Sequence, residues 1–182
     1  MKRRVVALFA GVVAGSFAAS VAQAQSASIF LSAGPSFPLG DYGDYAKTGW
    51  FSQAGVAVPV GAKGVTVGGA VVYGSNKHNA TDPGKTNLLG AFGFLQYRAG
   101  NPEKPGIYFF GEAGALNHQF KAPGTSGYGS DSEVKLAVGG GVGVDIPLGG
   151  AGLFIEADIV ARGDTKFVPI QVGVAIPVGK KK

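Results

Sequence analysis

Residues 134–148 read "VKLAVGGGVGVDIPL". Successive side chains of an extended chain point to opposite faces. Leu136, Val138, Val142, Val144 and Ile146 therefore share one face, with Lys135, Ala137, Gly139, Gly141, Gly143 and Asp145 on the other. Which of these faces meets water decides the fold. A soluble surface carries roughly a quarter to a third charged residues, and the second face is mainly glycine and alanine, so it cannot be a solubilising exterior. It suits the inner wall of a narrow barrel, because eight strands leave an interior only just wide enough for side chains. The aliphatic face then meets lipid, where a Lys or Arg at the midplane would cost about 2 to 4 kcal/mol.

The same alternation recurs outward along the chain. Val168, Ile170, Val172, Val174 and Ile176 oppose Gln171, Gly173 and Ala175, while Val65, Val67, Val71 and Tyr73 oppose Thr66, Gly68, Ala70 and Gly74. In "LFIEADIVARGD" (153–164) the aliphatic residues fall opposite Glu156, Asp158 and Arg162. Eight extended segments follow, at about 28–37, 50–60, 65–74, 87–98, 106–117, 134–147, 153–162 and 167–178. Most approach the length a tilted strand needs to cross a bilayer, and an even count suits a closed meander. Segments one and four leave their register open, because Phe30, Phe92 and Phe94 share a face with small or polar residues. Joins near 60–64, 99–105 and 148–152 are short, whereas those at 38–49, 75–86 and 118–133 are longer and polar, which is the loop sorting of an outer-membrane barrel. The expectation is an all-β fold, an eight-stranded antiparallel up-and-down transmembrane barrel over residues 25–182.

Residues 1–24 read as a cleavable secretory signal: Lys2, Arg3 and Arg4, an apolar "VVALFAGVVAG", then Ala22-Gln23-Ala24. The chain has no cysteine, so disulfides cannot hold the fold. Its net charge is +5, but the leader and Lys180–Lys182 supply the excess, which removes the case for a nucleic-acid partner. Charged residues are only 15%, against a usual share of about 25%.

With the aliphatic face outward, Gln53, Arg98, Glu112, Lys135, Asp145, Glu156, Asp158, Arg162 and Gln171 form the candidate polar network of the lumen. Isolated buried charges cost several kcal/mol, so these groups pair or bind water. The short join at 148–152 places Asp145 near Glu156 and Gly143 near Asp158, with Arg98 or Arg162 available as the cation. A hydrogen-bonded plug is the plain reading of this network, and an ion or proton path is the functional one. Trp50, Tyr73 and Tyr97 are expected at the membrane interfaces. His78 and His118 lie in separate long loops and read as solvated side chains without metal-ligand spacing. Arg162-Gly163-Asp164 sits at a strand end entering a tight turn, where glycine and aspartate belong on conformational grounds.

The chain resembles small outer-membrane β-barrel proteins, similar to the OmpA transmembrane region and OmpX-like proteins. "FLSAGPSFPLGDY", "YFFGEAGALN", "GGGVGVDIPL" and "PIQVGVAIPVG" carry the resemblance. It implies an eight-stranded barrel exported through the Sec pathway, inserted by the outer-membrane assembly machinery, surrounded by outer-membrane lipids and monomeric. The expected role is structural or surface-interaction, with no enzymatic activity, cofactor or metal and with an unidentified extracellular loop-binding partner. The chain departs from the family by ending "VAIPVGKKK" rather than on an aromatic residue. Three other readings compete: a narrow channel or transporter for small or hydrophobic solutes, a soluble periplasmic calycin-like binding barrel, and a lipid-modifying barrel enzyme using His78 or His118.

Overall fold

The computed structural model describes residues 27–61, 63–80, 83–122 and 131–179. The expected leader, residues 1–24, lies outside them. Eight strands follow in order: β1 (Ala27–Leu39), β2 (Gly49–Pro59), β3 (Val65–Lys77), β4 (Lys85–Arg98), β5 (Gly106–Lys121), β6 (Asp131–Pro147), β7 (Gly152–Arg162) and β8 (Thr165–Val178). A five-residue helix, α1 (Asp41–Tyr45), interrupts the connection between β1 and β2. Each strand pairs antiparallel with the next, and β1 pairs with β8 to close the barrel. All eight strands coincide with the alternating segments, and β5 and β6 run further towards the loops than the aliphatic pattern does.

The two faces separate as the alternation requires. Leu136 (74% exposed), Val71 and Val172 stand on the outer wall, while Phe92, Leu88, Leu116 and Phe167 are buried inside. Within the strands, outward-facing lysines sit only near the ends, at positions 77, 85, 121 and 166. The β7–β8 connection is a two-residue hairpin between the partners Arg162 and Thr165. Gly163 takes its first position with φ 54°, a conformation that side chains disfavour.

Segments one and four are now resolved: Phe30, Phe92 and Phe94 all face the lumen, and Phe30 and Phe92 are buried. Cross-strand pairing explains why an inner wall of small residues accepts large rings. Phe30 lies opposite Gly55, Phe51 opposite Gly74, Phe94 opposite Gly68, Tyr108 opposite Gly143 and Phe154 opposite Gly173. A Cβ on any of these glycines would run into its partner's ring. The glycines are slots, and the rings fill them.

Inside, the rings form two apolar layers. Towards the loops, Phe51, Val72, Leu88, Phe92, Leu116, Val160 and Phe167 pack beneath Tyr42 and Ala46. Towards the turns, Phe30 meets Phe94 and Phe154 edge to face, with ring centroids 5.7 and 6.3 Å apart. Gln53, Glu112, Glu156, Asp158 and Gln171 occupy the level between these layers.

The β6–β7 hairpin differs from expectation by two residues. Glu156 is paired with Gly143, Asp158 with Gly141 and Asp145 with Phe154. The turn closes at 148–151, where Leu148 N–H bonds to Ala151 O at 2.7 Å, so pairing starts at Pro147 and Gly152. A shift of two keeps every side chain on its expected face, whereas a shift of one would have inverted the strand.

Candidate functional site

Polar side chains from many strands converge in the lumen. Glu156 on β7 is its hub: Tyr108 OH on β5 donates to Oε2 at 2.8 Å, and Gln53 Nε2 on β2 donates to Oε1. Beside them Ser32 Oγ on β1 donates to Gln171 Oε1 on β8 at 3.0 Å. Asp158 stands within electrostatic reach of Glu112 and Glu156, and its Oδ1 accepts no hydrogen bond. Glu112, Glu156 and Asp158 therefore share one level of the lumen, each carried inward by strand alternation.

The cation expected beside the paired carboxylates is elsewhere. Arg98 Nε bonds to Asp145 Oδ1 at 2.7 Å, and its Nη2 donates to Lys104 O, so Arg98 serves Asp145 at the turn end. Arg162 reaches none of the lumen carboxyls: Nε donates to Leu116 O at 2.8 Å and Nη2 to Glu133 O. Lys135 lies on the inner parity but at the exposed loop-side rim, where Nζ is 2.9 Å from Glu133 Oε2. Of the nine expected residues, Gln53, Glu112, Glu156, Asp158 and Gln171 gather in the middle of the lumen. Arg98 and Asp145 form a pair at one end, and Arg162 and Lys135 stand at the other. Tyr108, which the sequence reading left out, belongs to the centre; its position opposite Gly143 is the signal that could have found it.

A cavity of about 230 Å³ lies in the turn-side half of the lumen, lined by Gln53, Glu112 and Glu156 together with Phe30, Phe94 and Phe110. Pro59, Arg98, Asp145 and Gly152, which stand at the turn-side strand ends, also line it. The loop end is filled. Gly40 (φ 56°) turns the chain into α1, whose Tyr42 is fully buried on the loop-side apolar layer. Burial pushes the Tyr42 phenol above its ordinary range, only partly opposed by the nearby Thr86 hydroxyl.

The two histidines are not solvated loop residues. His78 is 7% exposed, in a bridge with Ala46, and His118 belongs to β5. Their Nε2 atoms converge on Thr86 Oγ1 at 2.8 and 3.4 Å. The Tyr45 ring covers His78 at 5.1 Å, and Phe120 flanks it at 5.3 Å. Together they form the underside of the cap that α1 makes over the barrel. Among the described residues, no three His, Cys, Asp or Glu side chains converge as a metal-binding set.

On the outer wall Trp50 and Tyr73 pack with tilted rings, centroids 5.1 Å apart, near the loop ends, and Tyr97 lies opposite Phe109 near the turn ends, all exposed. Arg162 is 4% exposed, so the Arg-Gly-Asp triplet does not present its guanidinium to a partner.

Neither a protein-family model nor a curated protein matches the chain. Solved structures do match its fold. Neisserial surface protein A aligns with a TM-score of 0.67 at 12% identity, covering 82% of this chain and 96% of that one. Ail, the attachment invasion locus protein of Yersinia pestis, aligns with a TM-score of 0.58 at 16% identity, covering 86% and 100%. A second structure of Ail, in complex with the heparin analogue sucrose octasulfate, gives 0.57 at 16% identity, covering 84% and 98%. The chain has the fold of these small eight-stranded barrels.

Proposed function

We propose that the protein is an integral outer-membrane barrel of structural or surface-interaction type, which holds its loop end at the cell surface and passes no solute. The observation that carries this reading is the filled loop end. Among the described residues, Tyr42 and the apolar layer of Phe51, Leu88, Phe92, Leu116 and Phe167 are buried across the lumen on the loop side of the cavity. The membrane placement is supported by the aliphatic outer wall, by the Trp50–Tyr73 and Tyr97–Phe109 pairs at its two margins, and by the likeness to outer-membrane barrels.

On this reading residues 1–24 direct Sec export, the assembly machinery inserts residues 25–182, and the protein is a monomer, since a closed barrel presents no strand edge to pair. The carboxyl-rich centre is an internal brace without an enzymatic role, and the loop-binding partner is unassigned. Two experiments test the proposal. Detergent-extracted protein gives a compact unheated gel band that shifts on boiling, and planar bilayers holding it show no unitary steps. Extraction without detergent would sink the membrane placement, and stepwise conductance would transfer the assignment to a narrow channel.

A further inference from the structure

The loop half of the lumen is packed with apolar side chains, but the turn half keeps an open cavity of about 230 Å³. Its wall has two chemistries. Phe30, Phe94 and Phe110 give it aromatic surface, with the Tyr108 ring 6.1 Å from that of Phe110. Glu112 and Glu156 give it two carboxyls, carried inward on β5 and β7.

The charges around the cavity do not balance. Arg98 is the one cation in its lining, and it is already paired with Asp145 at 2.7 Å. Among the described residues Glu112, Glu156 and Asp158 form no ion pair with any lysine or arginine. Glu156 is steadied by Tyr108 OH and Gln53 Nε2. Glu112 instead meets a second carboxyl, that of Asp158. Asp158 is only 6% exposed, and its Oδ1 accepts no hydrogen bond. Carboxylates so far from water call for a counter-charge.

The geometry does not suit a metal ion, because no three such side chains converge as ligands among the described residues. Rings beside carboxylates suit an organic cation. The ring faces attract its charge and cover its apolar body, while the carboxylates accept its N–H groups. The volume falls short of the roughly 300–1,000 Å³ of drug-sized sites, so the occupant is small.

We propose that the turn-side cavity binds a small monovalent organic ammonium ion, its nitrogen at Glu112 and its apolar body against Phe30, Phe94 and Phe110. The filled loop end leaves the turn end as the side of entry. This site goes beyond the structural role proposed above and does not depend on the membrane placement.

Benzylammonium is the probe, with benzyl alcohol as its uncharged isostere and methylammonium as the charge without the ring. Binding to the detergent-purified full chain is read by calorimetry at neutral pH. The expected result is saturable binding of benzylammonium, about tenfold tighter than either control, the order expected of one charge-assisted contact. Glu112→Gln loses about that factor, whereas Glu103→Gln, at an exposed carboxylate of the turn end, keeps the full affinity. No saturable heat with benzylammonium would overturn the proposal, as would equal binding of benzyl alcohol or methylammonium, or an unchanged affinity in Glu112→Gln. If Glu112→Gln gives no compact unheated band, NMR on the wild type decides. Magnetisation transfer between the ring protons of the bound probe and those of phenylalanine is expected, and its absence overturns the site. A heat-shifting, silent barrel that takes up no benzylammonium loses this site and keeps the function proposed above. A chain that needs no detergent yet binds the probe keeps the site and loses the membrane placement.

Discussion

A ring seated over a glycine is the smallest unit of the inner wall, and it makes the glycines unexpectedly specific. In Gly173→Ala the added methyl runs into the Phe154 ring. Overpacking of this kind costs about 1 to 3 kcal/mol. The urea midpoint of the variant falls accordingly, and adding Phe154→Leu recovers part of the loss; an unchanged midpoint would mean that the ring is not seated there. Tyr42 is specific in another way. Its phenol is held neutral by burial, so its folded-state pKa lies above the unfolded value. Its contribution to stability is therefore complete below the ordinary tyrosine range, near pH 10, and fades as pH rises beyond it. The 295 nm titration of the wild type minus that of Tyr42→Phe should show one tyrosine ionising only above that range. An ordinary titration would unseat Tyr42 from the cap. Alternation alone was enough to aim Gln53, Glu156, Asp158 and Gln171 inward. It could not locate Tyr42 or His78, because "PLGDYGDYAKTG" and "SNKHNATDPGKT" are polar, contain glycine and have no period, and their burial comes from contacts with residues distant in sequence.

Among elements, the strands were legible because an aliphatic outer wall and a narrow lumen impose strict two-residue alternation. The extra length of β5 and β6 was not, since at the loop end pairs such as His118–Glu133 and Gln119–Ser132 carry no aliphatic signal. Nor could sequence fix the β6–β7 register, because "LGGAG" accepts a turn at more than one position and a shift of two preserves the pattern. Pairing over a longer reach depends on that register. Arg98 on β4 reaches Asp145 on β6 by lying over Gly106 of β5, so one ion pair ties three strands at the turn end. Arg98→Ala should cost about 1 to 2 kcal/mol, below the full value for a buried pair because Asp145 retains some access to water. Adding Asp145→Asn should cost little more, since the stranded carboxylate is then gone. Additive urea midpoints in the double variant would show that the two side chains do not act together.

For the molecule as a whole, the inside-out arrangement was readable from a face too poor in charge to meet water, and the blocked loop end was not. The block is redundant. Deleting residues 41–45 removes the cap but leaves Phe51, Phe92 and Phe167 filling the lumen beneath it. Bilayer recordings of that deletion should stay as silent as those of the wild type, and the appearance of steps would identify the cap as the sole barrier. The cavity on the turn side then has a thermodynamic character of its own. A cul-de-sac can hold an occupant but cannot sustain flux. Its occupancy equilibrates with the medium at the turn end alone, follows concentration there, and takes no work from any difference between the two ends of the barrel.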